Sequence, residues 1–177
     1  GIPAALFMAV SRTVMRSISS RSDLSAGIAE ANRLLATQNT ACMFVTLFYG
    51  VLDMGTGVMR YCNAGHNPPY LLRAGGGRSA LEATGIPIGV DENACYRVGE
   101  IVLDRGDTLF LFSDGITEAF DAAGNAFGTA RLEQTLDAAS GVGAADLVAR
   151  VLRATTAFTD GAEPSDDITC LALTFRG

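Results

Sequence analysis

A chain of 177 residues, 49 % hydrophobic and 18 % charged, has the length of one domain and a globular rather than disordered composition. A formal net charge of −6, with arginine supplying all thirteen basic residues, argues against nucleic acid as a partner and leaves no basic run for a membrane surface. No apolar stretch approaches the ~20 residues that span a bilayer; the longest, at 42–52, contains Thr46, Tyr49 and Gly50.

In chain order, residues 3–20 read as a helix. Pro3 suits the first helical position, and Leu6, Val10, Val14 and Ile18 repeat every four residues. Ser22 or Asp23 can cap a second helix with the apolar face Leu24, Ile28, Ala31 and Leu35, fraying by Asn39. The two helices are expected to form a hairpin. Its Leu6, Val10 and Val14 would pack on a sheet, leaving the other face open to a regulatory domain or a second subunit, as in a homodimer.

From Cys42 the period changes. Cys42–Asp53 and Val58–Asn63 are β-rich and flank Met54-Gly55-Thr56-Gly57, a hairpin signal. Asn63-Ala-Gly-His-Asn-Pro-Pro69 is a turn. Tyr70–Arg73 and Arg78–Leu81 form a second hairpin about Gly75-Gly76-Gly77. Tyr96–Leu103 and Thr108–Ser113 are strands joined by Asp104-Arg105-Gly106-Asp107. Ile116–Phe120 is one helical turn, Thr129–Ser140 and Ala144–Phe158 are helices, and Ile168–Phe175 is a closing strand. Strands in hairpin succession between two helical groups predict an α+β fold. The expected form is two packed antiparallel β-sheets flanked by helical layers, in one domain.

Four cysteines at 42, 62, 95 and 170 include no C-x-x-C pair and have no histidine nearby, which excludes a zinc site. They are expected as buried core thiols in a reducing cytosol. The single histidine, His66, sits in the Gly/Asn/Pro turn and is expected to bond that turn's backbone. No G-x-S-x-G, P-loop or G-x-G-x-x-G pattern is present.

Acidic residues at strand ends are the feature that points to chemistry. Ser113-Asp114-Gly115 follows the apolar run Thr108–Phe112, and Asp166-Asp167-Ile168-Thr169 precedes the last strand. Two carboxylates converging there would make a hard-oxygen site for a small divalent cation. Each motif is also ordinary turn chemistry, so its significance lies in the pairing.

Five motifs then occur in order: Pro3-Ala-Ala-Leu-Phe-Met8, Asn63–Pro69, Gly85-Ile-Pro-Ile-Gly89, Phe112-Ser-Asp-Gly-Ile-Thr-Glu118 and Asp166-Asp-Ile-Thr169. Over its whole length the chain resembles the bacterial SpoIIE-like branch of the metal-dependent protein phosphatases, the protein phosphatase 2C superfamily. The resemblance implies a two-sheet sandwich between helical layers, two Mn²⁺ or Mg²⁺ ions in a cleft, and direct attack of metal-activated water on phosphoserine or phosphothreonine. By motif it assigns metal ligation to Asp114 and Asp166, with Asp167 as the neighbouring alternative.

The resemblance also implies a further metal aspartate, and a glycine carbonyl, in strands before the first helix. The chain starts at Gly1-Ile2-Pro3 without a methionine, so it is read as a fragment that lacks them. Asp23, Glu30 and Asp53 are not placed to replace them. The implied setting is a cytoplasmic phosphatase acting on a phosphorylated regulatory protein, an anti-sigma-factor antagonist, under an upstream sensor or receiver domain. The alternative is a catalytically incompetent binding module on the same fold.

Overall fold

The computed structural model describes residues 2–18, 23–37, 39, 42–139, 141–162 and 166–177. The order of elements is α1 (Ile2–Ile18), α2 (Leu24–Ala36), β1 (Leu47–Leu52), β2 (Val58–Ala64), β3 (Tyr70–Leu72), β4 (Arg78–Ala80), β5 (Gly99–Val102), β6 (Thr108–Phe112), α3 (Asp114–Thr117), α4 (Gly128–Asp137), α5 (Ala144–Thr159) and β7 (Cys170–Thr174). The fold is α+β, with antiparallel sheets and helices, as the sequence predicts. The chain divides into two compact units, Gly1–Asp53 with Val58–His66 and Glu82–Val102, and Met54–Gly57 with Asn67–Leu81 and Leu103–Gly177.

The first unit carries α1, α2 and the sheet β1-β2-β5. Asp23 caps α2, its side chain accepting from Ala26 N at 3.0 Å, and Ile28, Ala31 and Leu35 are buried as the periodicity requires. The expected face of α1 is corrected. Val10 is 52 % exposed; Val14 packs inward as expected, and Phe7, Ser11 and Met15 join it. At about 100° per residue, Val10 lies about 90° from the centre of the face that Phe7, Ser11, Val14 and Met15 share. Ser11 is tolerated there because its hydroxyl donates to Phe7 O at 2.7 Å. The side chains of Leu6 and Ile18 lie outside the described residues, as does Ser22.

Cys42–Thr46 was expected to open the first strand. It carries only the bridge Val45↔Ile88, because Asn39 Oδ1 takes the amide of Met43 (2.8 Å) and turns the chain there. Two asparagines hold the Gly85–Gly89 segment. Gly89 N donates to the buried Asn32 Oδ1 (2.9 Å), and Asn39 Nδ2 donates to Gly89 O (3.0 Å).

The second unit carries the sheet β4-β3-β6-β7. Its core joins Tyr70, Leu72, Phe110 and Phe112 to Ile116, Leu132, Leu136, Leu147 and Val151 of the helices. β6 is the strand with apolar residues on both faces, and it is central, paired with β3 and β7. The expectation of hairpin succession fails at three connections. β2 to β3, β4 to β5 and β5 to β6 each pass from one sheet to the other.

Asp107 explains why Asp104–Asp107 does not close a hairpin. Its side chain is 2 % exposed and accepts from Ala74 N and Asp104 N, both at 2.9 Å, and from Arg73 Nη1 at 2.6 Å. The turn is thereby fixed to the chain after β3. Burial opposes the charge on Asp107, but the two amides and Arg73 outweigh it and hold the carboxyl below its ordinary value.

Arg73 is 40 % exposed and adds little as an ion pair. The two backbone amides would lose their acceptor, so Asp107→Ala is expected to lower unfolding free energy by roughly 2–4 kcal/mol. A carboxyl depressed on folding contributes stability above its unfolded pKa, about 4, and loses it as pH falls through the folded value. Urea midpoints measured below about pH 4 should therefore fall more steeply in the wild type than in Asp107→Ala.

The cysteine reading is half corrected. Cys62 is fully buried and Cys170 partly so, but Cys42 and Cys95 are exposed, because both precede rather than enter a strand. All four are free thiols. Among the described residues, no helix is long and apolar enough to cross a membrane.

Candidate metal site

β6 ends at Phe112, paired with Cys170 of β7. Ser113 then takes an extended conformation (φ −86°, ψ 162°) as the residue before α3. Asp114 is therefore the first residue of a short helix, two residues before the predicted helical turn. It is exposed, and its carbonyl accepts from Glu118 N at 2.7 Å.

Ser113 ties this corner to the second acidic motif. Its amide donates to Thr169 O (2.8 Å), and its Oγ accepts from Thr169 N (2.9 Å) and donates to Asp167 O (3.1 Å). Gly115 lies against the same carbonyl, so closely that an added Cβ would sit 2.5 Å from Asp167 O. Only glycine allows that approach. The S-D-G and D-D-I-T motifs, more than fifty residues apart in sequence, are thus held together by the Ser113 hydroxyl and by backbone contacts.

Asp166 and Asp167 are both exposed, and Asp166 Oδ1 accepts the amide of Asp167 at 2.7 Å. Carboxylate oxygens are hard donors that suit Mg²⁺ or Mn²⁺ rather than zinc. Among the described residues no group of three or more His, Cys, Asp or Glu is placed to hold a metal.

The other acidic candidates are engaged elsewhere: Asp23 caps α2 and Glu30 pairs with Arg33. His66 belongs to the first unit, where its ring Nδ1 lies 3.4 Å from Thr46 Oγ1. The turn's backbone is held by Asn63, whose Oδ1 accepts from His66 N at 2.9 Å.

Sequence reasoning named Asp114 and the aspartate pair but gave Ser113 and Gly115 no role. Their signal was available: a hydroxyl and a glycine flanking the aspartate are what a close crossing of two chain segments needs.

The model of the family described as Stage II sporulation protein E (SpoIIE) matches residues 1–176. The chain belongs to the SpoIIE family.

The chain is 34 % identical over 120 residues to phosphoserine phosphatase RsbU of Bacillus subtilis (strain 168), covering 67 % of the chain and 36 % of RsbU. It superposes along its whole length on the structure of the RsbU and RsbW domains of Rv1364c from Mycobacterium tuberculosis. There the TM-score is 0.78 at 28 % identity, and half of that chain is covered. The manganese-presoaked phosphatase domain of the cell fate determinant SpoIIE from Bacillus subtilis shares the fold, with a TM-score of 0.67 at 17 % identity. That match covers 94 % of this chain and 73 % of the other. The chain spans 22 % of the length of Protein IcfG of Synechocystis sp. and 36 % of RsbU.

Proposed function

We propose that the chain belongs to a metal-dependent phosphatase of phosphoserine and phosphothreonine proteins, with Asp114 and Asp166 as metal ligands. One observation carries the reading: within a SpoIIE-family chain, Ser113 and Gly115 bring the two acidic motifs into direct contact. Asp167, one residue on in the D-D-I-T motif, is the second choice beside Asp166. A bound divalent ion would supply Lewis acidity toward the phosphoryl group. The protein's part is to hold the ligating carboxylates at a fixed separation on two tied segments.

The substrate is a phosphorylated regulatory protein, by the motif resemblance to the SpoIIE-like branch an anti-sigma-factor antagonist. Control comes from a sensor or receiver domain, and the setting is the cytoplasm. The absence of a three-ligand group among the described residues favours a second reading, a binding module on the same fold.

Phosphate release from phosphocasein by the full-length protein separates the two. Oxygen ligands predict greater stimulation by Mn²⁺ than by Mg²⁺ at equal concentration, and none by Ca²⁺. No release with any of these ions leaves the binding module. Full activity after exhaustive chelation means the mechanism is not metal hydrolysis.

A further inference from the structure

Asp166 and Gly115 also line a cleft of about 240 Å³ in the second unit. Its walls include Ala119 and Phe120 after α3, Ile168 before β7, and the last turns of α5. Threonines of α5 face it, but two of their hydroxyls are spent on their own helix. Thr155 donates to Val151 O at 3.0 Å and Thr159 to Thr156 O at 3.1 Å. Closed onto the backbone in this way, those hydroxyls leave the threonine methyls to serve as lining. Phe120 and Ile168 stand beside the cleft 40 % and 41 % exposed. Asp166 is its charged residue, at the end shared with the candidate metal site.

We propose that this cleft receives a large apolar side chain from the residue next to the phosphorylated serine or threonine of the protein substrate; the proposal rests on the phosphatase reading above. A phosphoryl group placed at Asp114 and Asp166 lies at the mouth of the cleft, because Asp166 and Gly115 border both. The Cα of the adjoining substrate residue is one step of about 3.8 Å from that of the phosphorylated residue, so its side chain can enter a cleft that opens beside the phosphoryl group. The volume is below the roughly 300–1,000 Å³ of pockets for drug-sized ligands, which suits one side chain rather than a free metabolite. A charged or amide side chain there would lose its hydration against a wall whose buried hydroxyl already has a partner.

The test compares phosphoserine peptides carrying Leu or Gly on either side of the phosphorylated residue, using the full-length protein with Mn²⁺. A leucine peptide is expected to exceed its glycine counterpart by about tenfold or more in kcat/KM. Phe120→Ser and Thr156→Phe should each bring that ratio close to one. Thr156 is exposed on α5, so filling the cleft from there keeps the comparison interpretable if Phe120→Ser does not fold. Equal kcat/KM for all peptides in the wild type overturns the proposal, as does a preference that survives Thr156→Phe. Turnover of p-nitrophenyl phosphate alongside equal peptide rates puts the failure in the cleft alone. No turnover of any substrate removes the phosphatase reading and this proposal with it.

Discussion

Replacing Asp114 and Asp166 together by asparagine is expected to lower kcat/KM toward phosphoserine protein by about a thousandfold or more while leaving the melting temperature near its wild-type value. Both side chains are exposed, so neither supports the core. Losing the ligand charge removes several kcal/mol of transition-state stabilisation, and each 1.36 kcal/mol is tenfold in rate. Because the two residues serve one site, each single variant should cost nearly as much as the pair. Asp167→Asn should cost far less, its carbonyl rather than its carboxylate being the atom that Ser113 holds. Strict additivity of the two single effects would speak for two unconnected sites.

The second large effect belongs to residues that touch no substrate. Gly115→Ala puts a methyl 2.5 Å from Asp167 O, a backbone atom that can yield only if the strand entry moves. Overpacking of this kind costs roughly 1–3 kcal/mol. The displacement separates the two acidic segments, so Mn²⁺ affinity should fall by about 10–100-fold, as when other supporting groups of a metal site are removed.

Ser113→Ala tests the same tie more gently. It removes the acceptor of Thr169 N and the donor to Asp167 O, at about 1 kcal/mol of stability. Its Mn²⁺ affinity should fall as well, and Ser113→Thr, which keeps the hydroxyl, should recover most of it. Weakened stability with unchanged Mn²⁺ affinity in Gly115→Ala and Ser113→Ala would make the tie purely structural.

Much of this was legible in the residues. The alternation and turn chemistry located the β1–β2 and β3–β4 hairpins, and Asp23 with Ile28, Ala31 and Leu35 placed the second helix. What escaped depends on long-range partners. The sheet change after β5 is decided by Asp107 reaching back to Ala74, a contact that no local pattern announces. The inward face of α1 went to Phe7 and Ser11 because a serine that satisfies itself on the helix can sit where an apolar residue was expected. At the site, the acidic motifs could be read one by one. Their contact could not, since it is made by a serine hydroxyl and a missing Cβ across more than fifty residues of chain.

The central claim is that Asp114 and Asp166 hold one divalent ion between them. Titration of the full-length protein with Mn²⁺, following free Mn²⁺ by electron paramagnetic resonance, tests it most directly. Asp114→Asn and Asp166→Asn are each expected to abolish or strongly weaken the same binding event, with nothing further lost in the double variant and phosphate release falling in parallel. Wild-type Mn²⁺ stoichiometry and affinity in the double variant would contradict it.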